Sequence, residues 1–148
     1  MKILTAQQIK EADLYTINNE PISSIDLMER ASNAFVERFV KSWGIHTHIN
    51  IFSGPGNNGG DAMAIARLLS LRDYKIDIYI FNTSNKASDD WVCNYQKLKE
   101  CANVNIIEIT TAFSPQQLAS DEVIIDGLFG TGLNRPLTGG FASVVKYI

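Results

Sequence analysis

Residues 54–61 read Gly-Pro-Gly-Asn-Asn-Gly-Gly-Asp. A second run, Asp126-Gly127-Leu128-Phe129-Gly130-Thr131-Gly132-Leu133-Asn134-Arg135-Pro136, again mixes glycine with polar and charged side chains. Both compositions suit an anionic ligand. Glycine at a strand-to-helix junction permits positive φ and close approach of the backbone. The first N–H groups of the following helix then point at the same spot, with the positive end of the helix dipole behind them. In the second run, Gly130 and Gly132 offer N–H groups to a second phosphate, Thr131 a hydroxyl and Arg135 a charge-assisted fork. That set fits a pyrophosphate better than a single phosphate. Arg135 reads equally well as a solvated loop arginine.

Two generic nucleotide motifs fit poorly. Gly54, Gly56 and Gly59 satisfy G-x-G-x-x-G, but the dinucleotide fingerprint also wants an acid closing the next strand for the ribose. Here that strand ends at Phe81-Asn82, which disfavours a hydride-transferring oxidoreductase. A Walker A loop needs Gly-Lys-Ser/Thr where this chain has Gly60-Asp61-Ala62, so a P-loop NTPase is disfavoured too. A plain structural turn would use glycine and asparagine only for their φ tolerance.

The apolar pattern supplies the elements that must position these residues. Thr5 and Gln8 form a capping box for a helix through Ile9, Ala12, Leu14 and Ile17. Ser23 or Ser24 caps a second helix through Leu27, Ala31, Phe35 and Phe39. Both helices read as amphipathic. Strand and helix then alternate: strand Ile49 to Phe52, helix Ala62 to Leu71, strand Ile76 to Phe81, helix Ser88 to Ala102, strand Val104 to Ile109. A short helical turn is expected at Ser114-Pro115, followed by strand Val123 to Ile125. Such alternation implies right-handed βαβ units and a mainly parallel sheet, a Rossmann-like three-layer αβα sandwich preceded by two N-terminal helices. Winding in the order 3-2-1-4 would make strands one and four neighbours and open both glycine runs into one crevice.

In that crevice Asp126 and Asn58 would offer a carboxylate and an amide oxygen, hard ligands for Ca²⁺, Mg²⁺ or a monovalent cation. Asp126 reads equally as a cap for the turn that follows it. Asp61 suits a helix start on electrostatic grounds alone. His46 and His48 share a strand face but have no evident third ligand, and read as structural. Trp91, Tyr95 and Leu98 have the spacing of a helix packed on a sheet. Cys93 and Cys101 share one helix, too far apart to be bridged, and read as reduced thiols.

The chain has 148 residues, of which 45% are hydrophobic and 20% charged, with a formal net charge of -3, an ordinary composition for one domain. The acidic balance argues against nucleic acid or an anionic membrane as partner. No apolar run reaches the roughly 20 residues of a membrane span, and the N-terminus lacks a signal-peptide core, so a cytoplasmic protein is expected.

The sequence resembles the YjeF N-terminal domain family, the NAD(P)H-hydrate epimerases. Residues 54–61 match its GPGNNGGD signature, and residues 126–136 resemble its D-x-L-F-G-T-G-L-x-R-P segment. Leu4-Thr5 with Asp13 and Ile17, and Leu27-Met28-Glu29-Arg30-Ala31, resemble its two opening helices. The resemblance implies an isomerase that interconverts the R and S epimers of hydrated NADH and NADPH (NAD(P)HX). A dehydratase, separate or fused, would then restore the coenzyme. It implies that Asn57, Asn58, Gly59, Gly60 and Asp61, with Gly130, Thr131, Gly132, Leu133, Asn134, Arg135 and Pro136, bind the substrate. It also implies that Asn58 and Asp126 hold a potassium ion. One departure is Ala62-Met63, where family members often carry another glycine.

A further family aspartate lies in an Asp-x-Pro-Ser-Gly segment that this sequence does not reach before Ile148. The catalytic acid and base are therefore not assigned. Residues 1–148 are expected to form one domain truncated on its C-terminal side, inactive by itself, with strand four completing its pairing against another chain or a continuation. A homo-oligomer is expected. The alternative of another class is a non-catalytic YjeF-like scaffold or nucleotide-binding module, which would not need the polar atoms of both glycine runs.

Overall fold

A computed structural model describes residues 3–82, 87–110, 113–114, 117–133 and 136–148. Two helices come first, α1 (Ala6–Asn19) and α2 (Ser24–Phe39). Alternation follows through β1 (His48–Ser53), α3 (Asn57–Ser70), β2 (Lys75–Ile80), α4 (Asp89–Lys99) and β3 (Val104–Glu108). The chain closes with β4 (Val123–Gly127) and α5 (Gly139–Tyr147). All strand pairs are parallel and the order is β3-β2-β1-β4, the winding expected from the alternation.

The N-terminal caps form as the sequence indicates. Thr5 makes the reciprocal capping box with Gln8, Ser23 accepts from the Asp26 N–H, and Ser88 accepts from the Trp91 N–H. Burial is less faithful to the pattern. Helix α1 buries none of its residues. In α2 the buried stripe is Met28, Ser32, Val36 and Phe39: Phe39 is buried as expected, whereas the other three lie one position along from the expected Leu27, Ala31 and Phe35, and Phe35 stays 42% exposed. The two stripes are adjacent on the helix surface, and contact with α3 selects the former. Helix α5 was not foreseen, because it is short and opens on two glycines. Ser114 is not helical, and Pro115 lies outside the described residues.

The sheet is covered on both sides, the three-layer arrangement expected for parallel strands. On one face Ile49, Ile51, Ile76, Ile78 and Ile80 pack with Met63, Leu69, Trp91 and Leu98 from α3 and α4. On the other, Phe52, Tyr79, Phe81 and Leu128 pack with Val144 of α5. The Phe52 and Tyr79 rings stack there with centroids 4.8 Å apart.

That second face turns polar toward the strand starts. His48 places Nδ1 2.9 Å from Glu122 and Nε2 3.2 Å from Asp77. Asn50 donates to Glu122 at 3.0 Å and Asn105 to Asp77 at 2.9 Å. Both histidine nitrogens thus face carboxylates, which makes His48 part of the sheet's wiring. Burial pushes the Glu122 carboxyl up, but hydrogen bonds and charge from His48, with the Ala119 N–H and Asn50, outweigh it and hold it below its ordinary 4.5. A depressed acid stabilises the fold above its unfolded value and loses that contribution as pH falls through the folded one. The wild type should therefore lose stability faster than Glu122→Gln on acidification below about pH 4.5. Parallel thermal melts would refute this if the two curves kept a constant separation.

Candidate functional site

The first glycine segment is mostly helix. Helix α3 begins at Asn57, five residues before the expected start at Ala62, with Gly56 as N-cap. Gly56 has no side chain with which to cap, so the amides of the first turn are left for another acceptor. Asn57 is exposed, Asn58 and Asp61 are partly buried, and Gly59 and Gly60 are buried.

The buried glycines are set by close approach. A Cβ on Gly59 would lie 1.8 Å from the Gly54 carbonyl oxygen, and one on Gly54 would lie 2.0 Å from the Leu128 carbonyl oxygen. Gly60 sits at the crossing with α2 and α4, where a Cβ would meet Met28 Sδ at 3.1 Å. Ser53 Oγ donates to the Gly59 carbonyl at 3.1 Å and ties the strand end to the helix start.

Strands β1 and β4 are neighbours, and the two glycine segments clasp each other where they leave them. The Gly54 N–H donates to the Gly127 carbonyl at 3.1 Å, and Asn58 Nδ2 donates to the Phe129 carbonyl at 3.1 Å. A Cβ on Gly127 would lie 2.5 Å from that of Ala62, so the glycine lets the second segment pack closely against α3. Thr131 and Gly132 form a turn, and Gly130 to Leu133 and Pro136 are exposed; Asn134 and Arg135 lie outside the described residues.

Asp126 belongs to β4 itself and caps the turn beyond it, its Oδ1 accepting from the Leu128 N–H at 2.9 Å. It also lines an open cleft of about 280 Å³ with Asn58, Asp61, Ala31, Phe35 and Ile125. Asn58 and Asp126 thus border the same cleft at the ends of β1 and β4. Because the Phe129 carbonyl can only accept, Asn58 must turn its nitrogen there, leaving Oδ1 for a different partner. An amide oxygen and one carboxylate fit a weakly charged, oxygen-seeking cation. Among the described residues, no three His, Cys, Asp or Glu side chains are grouped to hold a metal.

Burial pushes the Asp61 carboxyl up from 3.8 to about 6, with Asp13 and Asp90 adding like-charge repulsion. A raised acid favours the fold while protonated, so its ionisation costs stability as pH rises from about 4 to about 6. Asp61→Asn should match the wild type at pH 4 and exceed it in urea midpoint at pH 7.5. Equal midpoints at both pH values would contradict this placement.

Residues 24–148 match the family described as YjeF-related protein N-terminus. The chain belongs to that family. Among relatives of this YjeF N-terminal domain, the NAD(P)H-hydrate epimerase of Limosilactobacillus fermentum is 35% identical, covering 98% of this chain and 67% of the relative. That of Oenococcus oeni is 34% identical over 98% and 67%, and that of Rhodobacter capsulatus 32% identical over 93% and 66%. The chain therefore spans about two thirds of these relatives' length. The crystal structure of yeast ynu0 superposes with a TM-score of 0.77 at 20% identity, over 99% of this chain and 64% of the yeast chain. At that identity it bears on the fold, and it agrees with the αβα architecture.

Sequence reasoning missed one residue bearing on this site. Trp91, read as a packing residue, is buried as expected, but its Nε1 also donates to the Gly54 carbonyl at 2.8 Å. Its only sequence signal was the need of a buried indole N–H for a partner. Cys93 and Cys101 are both free and partly buried.

Proposed function

We propose that this YjeF N-terminal domain epimerises the R and S forms of hydrated NADH and NADPH. Residues 57–61 and 130–136 would bind the nucleotide, and Asn58 and Asp126 a potassium ion. The observation that carries the reading is the clasp between the two glycine segments, through which Asn58 reaches the Phe129 carbonyl at 3.1 Å. Two anion-suited turns side by side match the two phosphates of a dinucleotide. The naming of the relatives as NAD(P)H-hydrate epimerases supports the same substrate. A potassium ion would add positive charge beside those phosphates. Epimerisation at a carbinolamine carbon then needs an acid and a base to open the ring, or to remove and restore the hydroxyl.

The setting proposed is cytosolic, in keeping with two free thiols, and upstream of a dehydratase that accepts the S epimer. A homo-oligomer is proposed because a 14-residue helix with no buried residue, α1, is marginal without packing. Among the described residues, no helix is long and apolar enough to cross a membrane.

The test is R-to-S conversion, followed with this chain and with a version carrying the further third found in the relatives. Conversion by neither would overturn the epimerase reading. A binding test is sharper for the second turn. A Cβ at Gly132 would meet nothing within 4 Å, so Gly132→Val should fold normally. By keeping a ligand away from the backbone it should weaken NADP⁺ binding about tenfold, or 1.4 kcal/mol. Unchanged affinity in the folded variant would remove residues 130–132 from the site.

A further inference from the structure

We propose that Trp91 is a positioning residue for the ligand turn. Donated from α4, its indole N–H holds the Gly54 carbonyl inward and so sets the direction in which the α3 N-terminus presents its amides. This rests on the reading of residues 54–61 as an anion site.

Trp91 is 4% exposed, and its backbone N–H is fixed by the Ser88 cap at 3.3 Å. Filling the space between α4 and the sheet needs only an apolar ring, and phenylalanine would supply one. An indole N–H aimed at a turn carbonyl is a further feature, and the carbonyl it selects has consequences for the ligand. Gly54 is where the chain leaves β1, and Pro55 after it has no N–H. The peptide between them therefore brings a single polar group to the turn, an acceptor.

Facing the crevice, that oxygen would repel an anion; held inward, it leaves the amides that follow as the groups an anion meets. Gly54 is wedged against the Leu128 backbone on its other side, so the carbonyl is held from within by the indole while the residue is blocked from without. Ser53 Oγ also approaches the Gly54 oxygen, at 3.4 Å, a longer and weaker contact than the indole's 2.8 Å. Trp91 does not line the cleft with Asn58 and Asp126, and it acts on the ligand only through Gly54.

The test starts from a Trp43→Phe background. Trp43 is 45% exposed, and its loss leaves Trp91 as the sole tryptophan. In that protein the indole ¹⁵N–¹H resonance of Trp91 is followed during titration with NADP⁺. Trp91→Phe, which keeps a ring and deletes the donor, is compared by calorimetry, with its melting temperature measured separately. The expected results are a resonance that moves to saturation with NADP⁺ and an affinity about threefold to tenfold weaker in the folded Trp91→Phe protein, the range of one lost hydrogen bond. Unchanged affinity in the folded variant overturns the proposal, whatever happens to its melting temperature. So does an indole resonance that stays put at saturation, a measurement that needs no change at Trp91. If the Trp43→Phe protein binds no NADP⁺, the anion-site reading falls and the proposal with it. Binding that is insensitive to Trp91 removes the proposal alone.

Discussion

Gly59→Ala is expected to destabilise this protein by about 3 kcal/mol, a large share of the roughly 5–15 kcal/mol that holds a domain folded. Helix propensity alone gives the opposite sign, since alanine inside a helix is favoured over glycine by about 1 kcal/mol. The difference is steric. An added Cβ would fall 1.8 Å from the Gly54 oxygen and 2.9 Å from Ser53 Oγ. The backbone oxygen cannot retreat, because Gly54 is itself wedged against the Leu128 carbonyl and bonded to Gly127. Gly56→Ala is the control, with nothing within 4 Å of the added carbon. Urea denaturation of the two variants decides the matter, and a Gly59→Ala midpoint no lower than that of Gly56→Ala would show that the clasp yields more easily than its geometry indicates.

The second large effect concerns the cation. If Asn58 and Asp126 bind potassium in the folded state only, potassium at a hundred times its dissociation constant should stabilise the protein by about 2.7 kcal/mol. For a domain of this size that is a rise of roughly 5–10 °C over tetramethylammonium at equal ionic strength. Asp126→Ala should abolish the rise and also lower the baseline by about 1 kcal/mol, because the carboxylate caps the Leu128 N–H. Asp126→Asn separates the two roles: it keeps an oxygen for the cap, so its baseline should hold while the response to potassium shrinks. The idea fails if wild type and Asp126→Asn respond alike, or if the wild type does not respond.

The strand order and the meeting of the two glycine runs were legible in the sequence, because alternating apolar segments force a parallel sheet and its first and fourth strands are neighbours in that winding. The start of α3 was not. A run such as Gly59-Gly60 reads as loop wherever glycine is judged by chain entropy, whereas here it allows the backbones of β1, α3 and β4 to approach. The one-position error on α2 has a similar origin. Leu27, Ala31 and Phe35 form as good a stripe as Met28, Ser32 and Val36, and only the position of α3 selects between them. Trp91 was placed correctly on its helix but for half its role, since periodicity describes which face a side chain occupies and is blind to the hydrogen it carries.

The polar ladder from Asp77 through His48 to Glu122 bears on how the sheet excludes its competitors. The apolar alternation of β1 and its neighbours rejects a slip by one residue, which would turn the core outward. A slip by two restores the alternation, and the isoleucines on the helix side would accept it. The ladder would not: displacing β1 by two positions takes His48 away from both carboxylates and leaves Asn50 in its place, an amide with no charge to offer either. Three polar side chains at the far end from the ligand turns thus select the one alignment in which Gly54 and Gly127 arrive level.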